Sequence, residues 1–78
     1  MTEAHFEMDD TALYRRLCGQ GDANIRRIEK YFSISIIPRG NTLTLRGEKK
    51  HVEQAIEMLH LASDVLRERE SSYELDDF

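Results

Sequence analysis

Two glycines and a run of cations follow one another in the stretch LCGQGDANIRRIEK, Leu17 to Lys30. Gly19 and Gly21 let the chain reverse, and a helix that starts just after such a turn points its unpaired N–H groups and the positive end of its dipole outward. The chemistry on offer is capture of a phosphate-like anion, with Arg26, Arg27 and Lys30 adding a salt-sensitive attraction. Asp22 complicates that reading. Its position predicts an N-cap, the carboxylate accepting first-turn N–H groups, and it adds a negative charge at the mouth of the loop. Each effect is worth about 1 kcal/mol, so the two nearly cancel. A nucleic-acid backbone site would therefore consist of Gly19, Gln20, Gly21, Arg26, Arg27 and Lys30, set against a plain capped helix with a basic solvated face.

Arg39, at the tip of a predicted hairpin, and Arg46, near a strand end, would extend such a patch. For stacking on unpaired bases the aromatic candidates are Phe6, Tyr14, Tyr31 and Phe32. Phe6 falls in a strand and Phe32 on an apolar helix face, which leaves Tyr14 and Tyr31. Metal and catalytic chemistry find no support. Cys18, His5, His51 and His60 show no paired ligand spacing, His51 and His60 do not share a helix face, and no nucleophile–base set is indicated. Cys18 reads as a small core residue.

The formal net charge of −4 divides unevenly along the 78 residues. Glu3, Glu7, Asp9 and Asp10 make the first ten residues acidic, and Glu70, Glu74, Asp76 and Asp77 do the same for residues 70–78. The middle, residues 11–69, holds all eleven Lys and Arg against seven acids, a net +4. This pattern reads either as a solvated surface with charged ends or as a basic patch whose acidic flanks suppress non-specific binding. A chain this short forms one domain that buries about 60% of its unfolded surface, too small for a deep enzymatic cleft. It has no apolar run of roughly 18 residues to span a membrane and no secretory leader. With one cysteine and no internal disulfide to form, a reducing, cytoplasmic setting is expected.

The elements that must position these residues follow from periodicity. AHFEM, Ala4 to Met8, predicts a short strand. Asp9 or Asp10 caps a helix running through Leu17, which Gly19 and Gly21 stop. The second helix spans Ala23 to Phe32, with Ile25, Ile28 and Phe32 on one face and the cations on the other. SISII and NTLTLRG are β-branched with period two, an antiparallel hairpin around PRG, and Pro38 belongs at the strand end or turn. The last helix, Lys49 to Arg69, presents Val52, Ala55, Ile56, Leu59, Ala62 and Leu66 to a sheet. A second stripe, Met58, Leu61 and Val65, points elsewhere and marks a protein-interaction surface. ESSYELDDF, residues 70–78, reads as an acidic tail or linker after a domain of residues 1–69. The fold class is α+β, in the order β-α-α-β-β-α, with a three-stranded antiparallel sheet and helices on one face.

That order, with LCGQGDANI between the first two helices, resembles the KH domain, whose GXXG loop clamps about four nucleotides. Asp22 stands at the second glycine of that pattern. Over residues 5 to 66 the chain is also similar to the N-terminal domain of the PhoH-like, phosphate-starvation-inducible ATPases. The residues that carry this are Leu17-Cys18-Gly19, Asp22-Ala23-Asn24, Arg39-Gly40-Asn41 and Arg46-Gly47-Glu48. The resemblance implies an RNA-binding module attached to an ATPase domain that uses ATP and magnesium. The chain itself has no G-x-x-x-x-G-K-[ST] loop, so no cofactor and no enzymatic activity are expected within it. The second reading is a regulatory or protein-interaction domain that docks onto the ATPase domain, a ribonuclease partner or another copy of itself. Asp22, the acidic ends and the Met58/Leu61/Val65 stripe favour it, because a fold alone does not establish a function.

Overall fold

The computed structural model describes the backbone of residues 1–76 and the side-chain surroundings of residues 1–69. Strand β1, Thr2–Glu7, is followed by helices α1, Thr11–Cys18, and α2, Ala23–Phe32. Strands β2, Ser35–Arg39, and β3, Thr42–Gly47, form the hairpin, and helix α3 spans Lys49–Asp76. The sheet is antiparallel in the order β1-β3-β2, which is the expected β-α-α-β-β-α, α+β architecture.

Register follows from the period-two pattern. Phe6 pairs with Leu43, Ala4 with Leu45 and Ile36 with Leu45, so one face of the sheet is apolar throughout. A one-residue slip would turn every one of these side chains to water. The opposite face is polar: Arg46 forms an ion pair with Glu3, and His5 Nδ1 shares a hydrogen bond with Thr44 Oγ1 at 3.1 Å. Gly40, at φ 55°, supplies the left-handed residue that the tight turn between Arg39 and Thr42 needs.

α3 closes the apolar face. Leu59 and Ala55 are 0% exposed and Val52 1%, against Leu43 and Leu45 at 0%. Ile56, Ala62 and Leu66 are only partly buried at the border of this cluster. The helix does not stop at Arg69 as its apolar stripe suggested, but runs on to Asp76. The expected tail is therefore helical as far as Asp76, and its last two residues lie outside the described ones. Among the described residues, no helix is long and apolar enough to cross a membrane.

Pro38 lies within β2 rather than after it, opposite Leu43. An edge strand tolerates it because the missing N–H faces no partner. Backbone N–H groups alternate sides along a strand, so Ile34, Ile36 and Pro38 share the outer edge. The Ile34 N–H donates to the Glu29 carbonyl at 3.1 Å, and the Ile36 N–H to the Glu29 carboxylate at 2.8 Å. With proline next in line, this edge offers no donor to an incoming strand, a direct way to prevent edge-to-edge association.

Leu59→Ala is expected to cost ~2–5 kcal/mol and Ile56→Ala clearly less, as read from urea unfolding. Equal losses at the two positions would mean that the border of the core is drawn wrongly.

Candidate nucleic-acid interface

α1 is fixed at both ends before the loop begins. Asp10 Oδ1 accepts the Leu13 N–H at 3.2 Å as N-cap, and Thr11 Oγ1 takes a hydrogen bond from Asn41 Nδ2 at 2.9 Å, tying the helix to the hairpin turn. At its other end the Gly19 N–H closes on the Arg15 carbonyl at 3.0 Å. Gly19 then takes φ 81°, Gly21 φ 62° and Asp22 φ 58°. Three left-handed residues within one short turn reverse the chain so sharply that α2 starts at Ala23.

Asp22 does not cap α2. Its backbone is left-handed, at φ 58° and ψ 27°, and its side chain makes no capping hydrogen bond. An N-cap side chain reaches the first turn from an extended backbone, and the left-handed conformation removes that reach. The expectation of a capped helix is thus corrected, and the argument that Asp22 already occupies the first-turn N–H groups falls with it. Asp22 is instead a non-glycine residue in a conformation that aspartate tolerates better than most.

The residue that holds the loop is Asn24. Its Nδ2 donates to the Leu17 carbonyl at 3.2 Å, bridging the end of α1 and the start of α2. A Cβ at Gly19 would lie 2.8 Å from that same Nδ2, so Gly19 is required both by its φ and by the packing of Asn24. Asn24 appears in the sequence only as part of the Asp22-Ala23-Asn24 motif, and nothing in its spacing reveals a bridge across the loop.

α2 divides its cations between two flanks. Arg26 Nη1 lies 3.5 Å from Glu29 Oε1, and the Glu29 carboxylate is anchored on β2 through Ile36, so Arg26 sits on the β2 side. Arg27 lines a groove against α3, on the opposite flank. Lys30 is exposed, as is Arg39 at the hairpin tip. Arg46 is engaged by Glu3 on the open sheet face. The sequence suggested one patch of Arg26, Arg27 and Lys30; the structure separates them, with Arg26 on the β2 side, Arg27 against α3 and Lys30 in the last turn of α2, at the end away from the loop. Glu29 was not anticipated, although it is the one acid among these cations in α2.

The aromatic candidates separate equally clearly. Tyr14 is 7% exposed and its hydroxyl is buried with no oxygen or nitrogen partner, so it cannot stack on a base. Burial pushes that hydroxyl up to about 12, and the neighbouring Cys18 and the Asp22 carboxylate push the same way. Burial likewise raises the Cys18 thiol, as suits a core residue. Tyr31 is 82% exposed, but it packs edge-on against Phe32 at 4.9 Å on the α3 flank. Met58, Leu61 and Val65 are all exposed, on the same flank. Among the described residues no cluster of His, Cys, Asp or Glu could hold a metal ion.

A family model described as the KH domain matches residues 6–61. The chain belongs to the KH domain family. No curated protein and no solved structure matches it. KH domains are binding modules rather than enzymes, and RNA is the ligand class that membership brings. The geometry also explains the departure at the GXXG loop of this KH domain. Where this chain carries Asp22 in place of the second glycine, the backbone takes φ 58°, a conformation that glycine adopts freely.

Asp22→Gly is expected to hold or raise the stability of the domain, since relief of the left-handed backbone offsets the added chain entropy. Gly19→Ala should lower it by about 1–3 kcal/mol. A clear loss from Asp22→Gly in thermal melts would restore the capping role. Tyr14 gives a pH signature. The fold accommodates the protonated hydroxyl, so its contribution is intact below the unfolded value of 10.0 and is lost as pH rises toward about 12. Tyr14→Phe should flatten the fall in melting temperature over that window. At neutral pH it should cost little, because the partner beside the hydroxyl is the Cys18 sulfur, a weak hydrogen-bonding group.

Proposed function

We propose that this KH domain binds the backbone of single-stranded RNA through Gly19, Gln20 and Gly21, with Arg26, Lys30 and Arg39 supplying charge, as the N-terminal module of a PhoH-like ATP-binding protein. The observation that carries this reading is the conformation of Asp22. With no side-chain cap on α2, the positive end of that helix dipole is directed at the loop and open to an anion. Arg26 is exposed near that end of α2 and Lys30 in its last turn, and few cations mean weak binding.

The PhoH-like context is supported by the order of the four short motifs around Leu17, Asp22, Arg39 and Arg46. It places the domain in the cytoplasm, delivering RNA to an attached ATPase domain that binds ATP and magnesium. The coding sequence that follows Phe78 tests this part, where a G-x-x-x-x-G-K-[ST] loop is expected.

Binding is tested by fluorescence anisotropy with a labelled single-stranded RNA. With two or three phosphates neutralised, affinity should fall roughly ten-fold between ~50 and ~200 mM salt. Asp22→Gly should tighten binding several-fold by removing a carboxylate from the loop, and Gln20→Asp should weaken it. Arg26→Glu combined with Lys30→Glu should abolish it while the circular dichroism spectrum stays that of the folded domain. If neither the wild type nor Asp22→Gly binds at low salt, the RNA reading is overturned.

A further inference from the structure

A groove of about 520 Å³ runs between α3 and the two short helices. Leu17 and Ile28 form one wall, and Met58, Leu61 and Val65 the other. Leu61 is 63% and Val65 49% exposed, a large apolar area for a small domain to leave in water. Arg27 and Arg69, both exposed, line the groove together with Arg16, and among the described residues no acid does.

The outer rim carries the opposite sign. With successive residues about 100° apart on a helix, Glu57, Asp64 and Glu68 fall on α3 just beyond Leu61, on the side away from the core stripe, and all three are exposed. The apolar floor is thus bordered by arginines toward α1 and α2 and by carboxylates on the outside of α3. A polyanion such as RNA would be drawn to the first border and repelled by the second. A partner with one charge on each side of an apolar stripe matches both.

The backbone of such a partner is fixed by what the groove can offer it. Every lining residue belongs to a helix, whose N–H and C=O groups are committed to its own ladder, and the Asn24 Nδ2 already donates to the Leu17 carbonyl. An extended peptide would find no edge to pair with and would leave its own N–H groups unsatisfied against apolar walls. An α-helix brings its backbone bonds with it. We propose that the groove docks an amphipathic α-helix of a partner protein. Its apolar stripe rests on Met58, Leu61 and Val65, its acidic flank faces Arg27 and Arg69, and its basic flank faces Glu57, Asp64 and Glu68.

The full chain is titrated with three designed peptides of about 18 residues, long enough to be helical. All share one leucine stripe; one has glutamate on one flank and lysine on the other, one has lysine on both and one has glutamate on both. A helix can enter the groove in either direction, so one order of the mixed flanks suffices. Methyl NMR signals of Met58, Leu61 and Val65 report occupancy. The mixed peptide should bind about three-fold or more tighter than either of the others. Leu61→Lys should weaken it about ten-fold with an unchanged circular dichroism spectrum. Arg27→Glu combined with Arg69→Glu should turn the preference toward the lysine peptide. Absence of binding at ~1 mM peptide, equal affinities for the three peptides, or indifference to Leu61→Lys overturns the proposal. So does a response of these methyl groups to single-stranded RNA and not to peptide.

Discussion

The burial of one stripe of α3 against one face of the sheet is the constraint to which the other parts adjust. Val52, Ala55 and Leu59 meet a surface made by Phe6, Leu43 and Leu45, and none of the six is more than 4% exposed. In a domain whose whole stability is ~5–15 kcal/mol, losing one such side chain removes a large part of it. Because β3 lies between β1 and β2, Leu43 and Leu45 receive apolar neighbours from both sides and from above. α1 and α2 then cover what α3 leaves open, through Leu13, Leu17, Ile25 and Ile28.

That division of labour sets the character of the loop. Both ends of the Gly19–Asp22 reversal are held, one by α1 packed against α3, the other by α2 clipped to the β2 edge through Glu29. Between fixed ends the backbone has to pass through left-handed conformations, and Asn24 spans the gap. The loop is thus tied at both ends and bridged by Asn24.

α3 serves two environments at once. Its inner stripe belongs to the sheet, while Met58, Leu61 and Val65 remain on the surface beside Arg27. This KH domain therefore presents two chemically distinct flanks: a polar one around the loop and β2, and an apolar one between α2 and α3. Arg27, one residue from Arg26, lies on the second flank because successive residues on a helix are about 100° apart.

The sequence alone determined the element order, the in–out alternation along the strands and the inner stripe of α3. Each of these rests on a local period, two for Leu43 and Leu45 and about 3.6 for Val52, Ala55 and Leu59, and local periods survive whatever the rest of the chain does. The glycine loop and its family resemblance were legible for the same reason. Tertiary structure decided the rest. A capping role for Asp22 was a sound local expectation, and it lost because the fixed ends of the reversal impose a left-handed φ that no local propensity encodes. Tyr14 looked free to stack until α1 docked and buried it. Glu29 drew no attention in the sequence, and only the docking of β2 brings the Ile36 N–H to its carboxylate. These are contacts between segments far apart or steeply angled in the chain, and side-chain type and spacing carry no record of them until the fold brings the partners together.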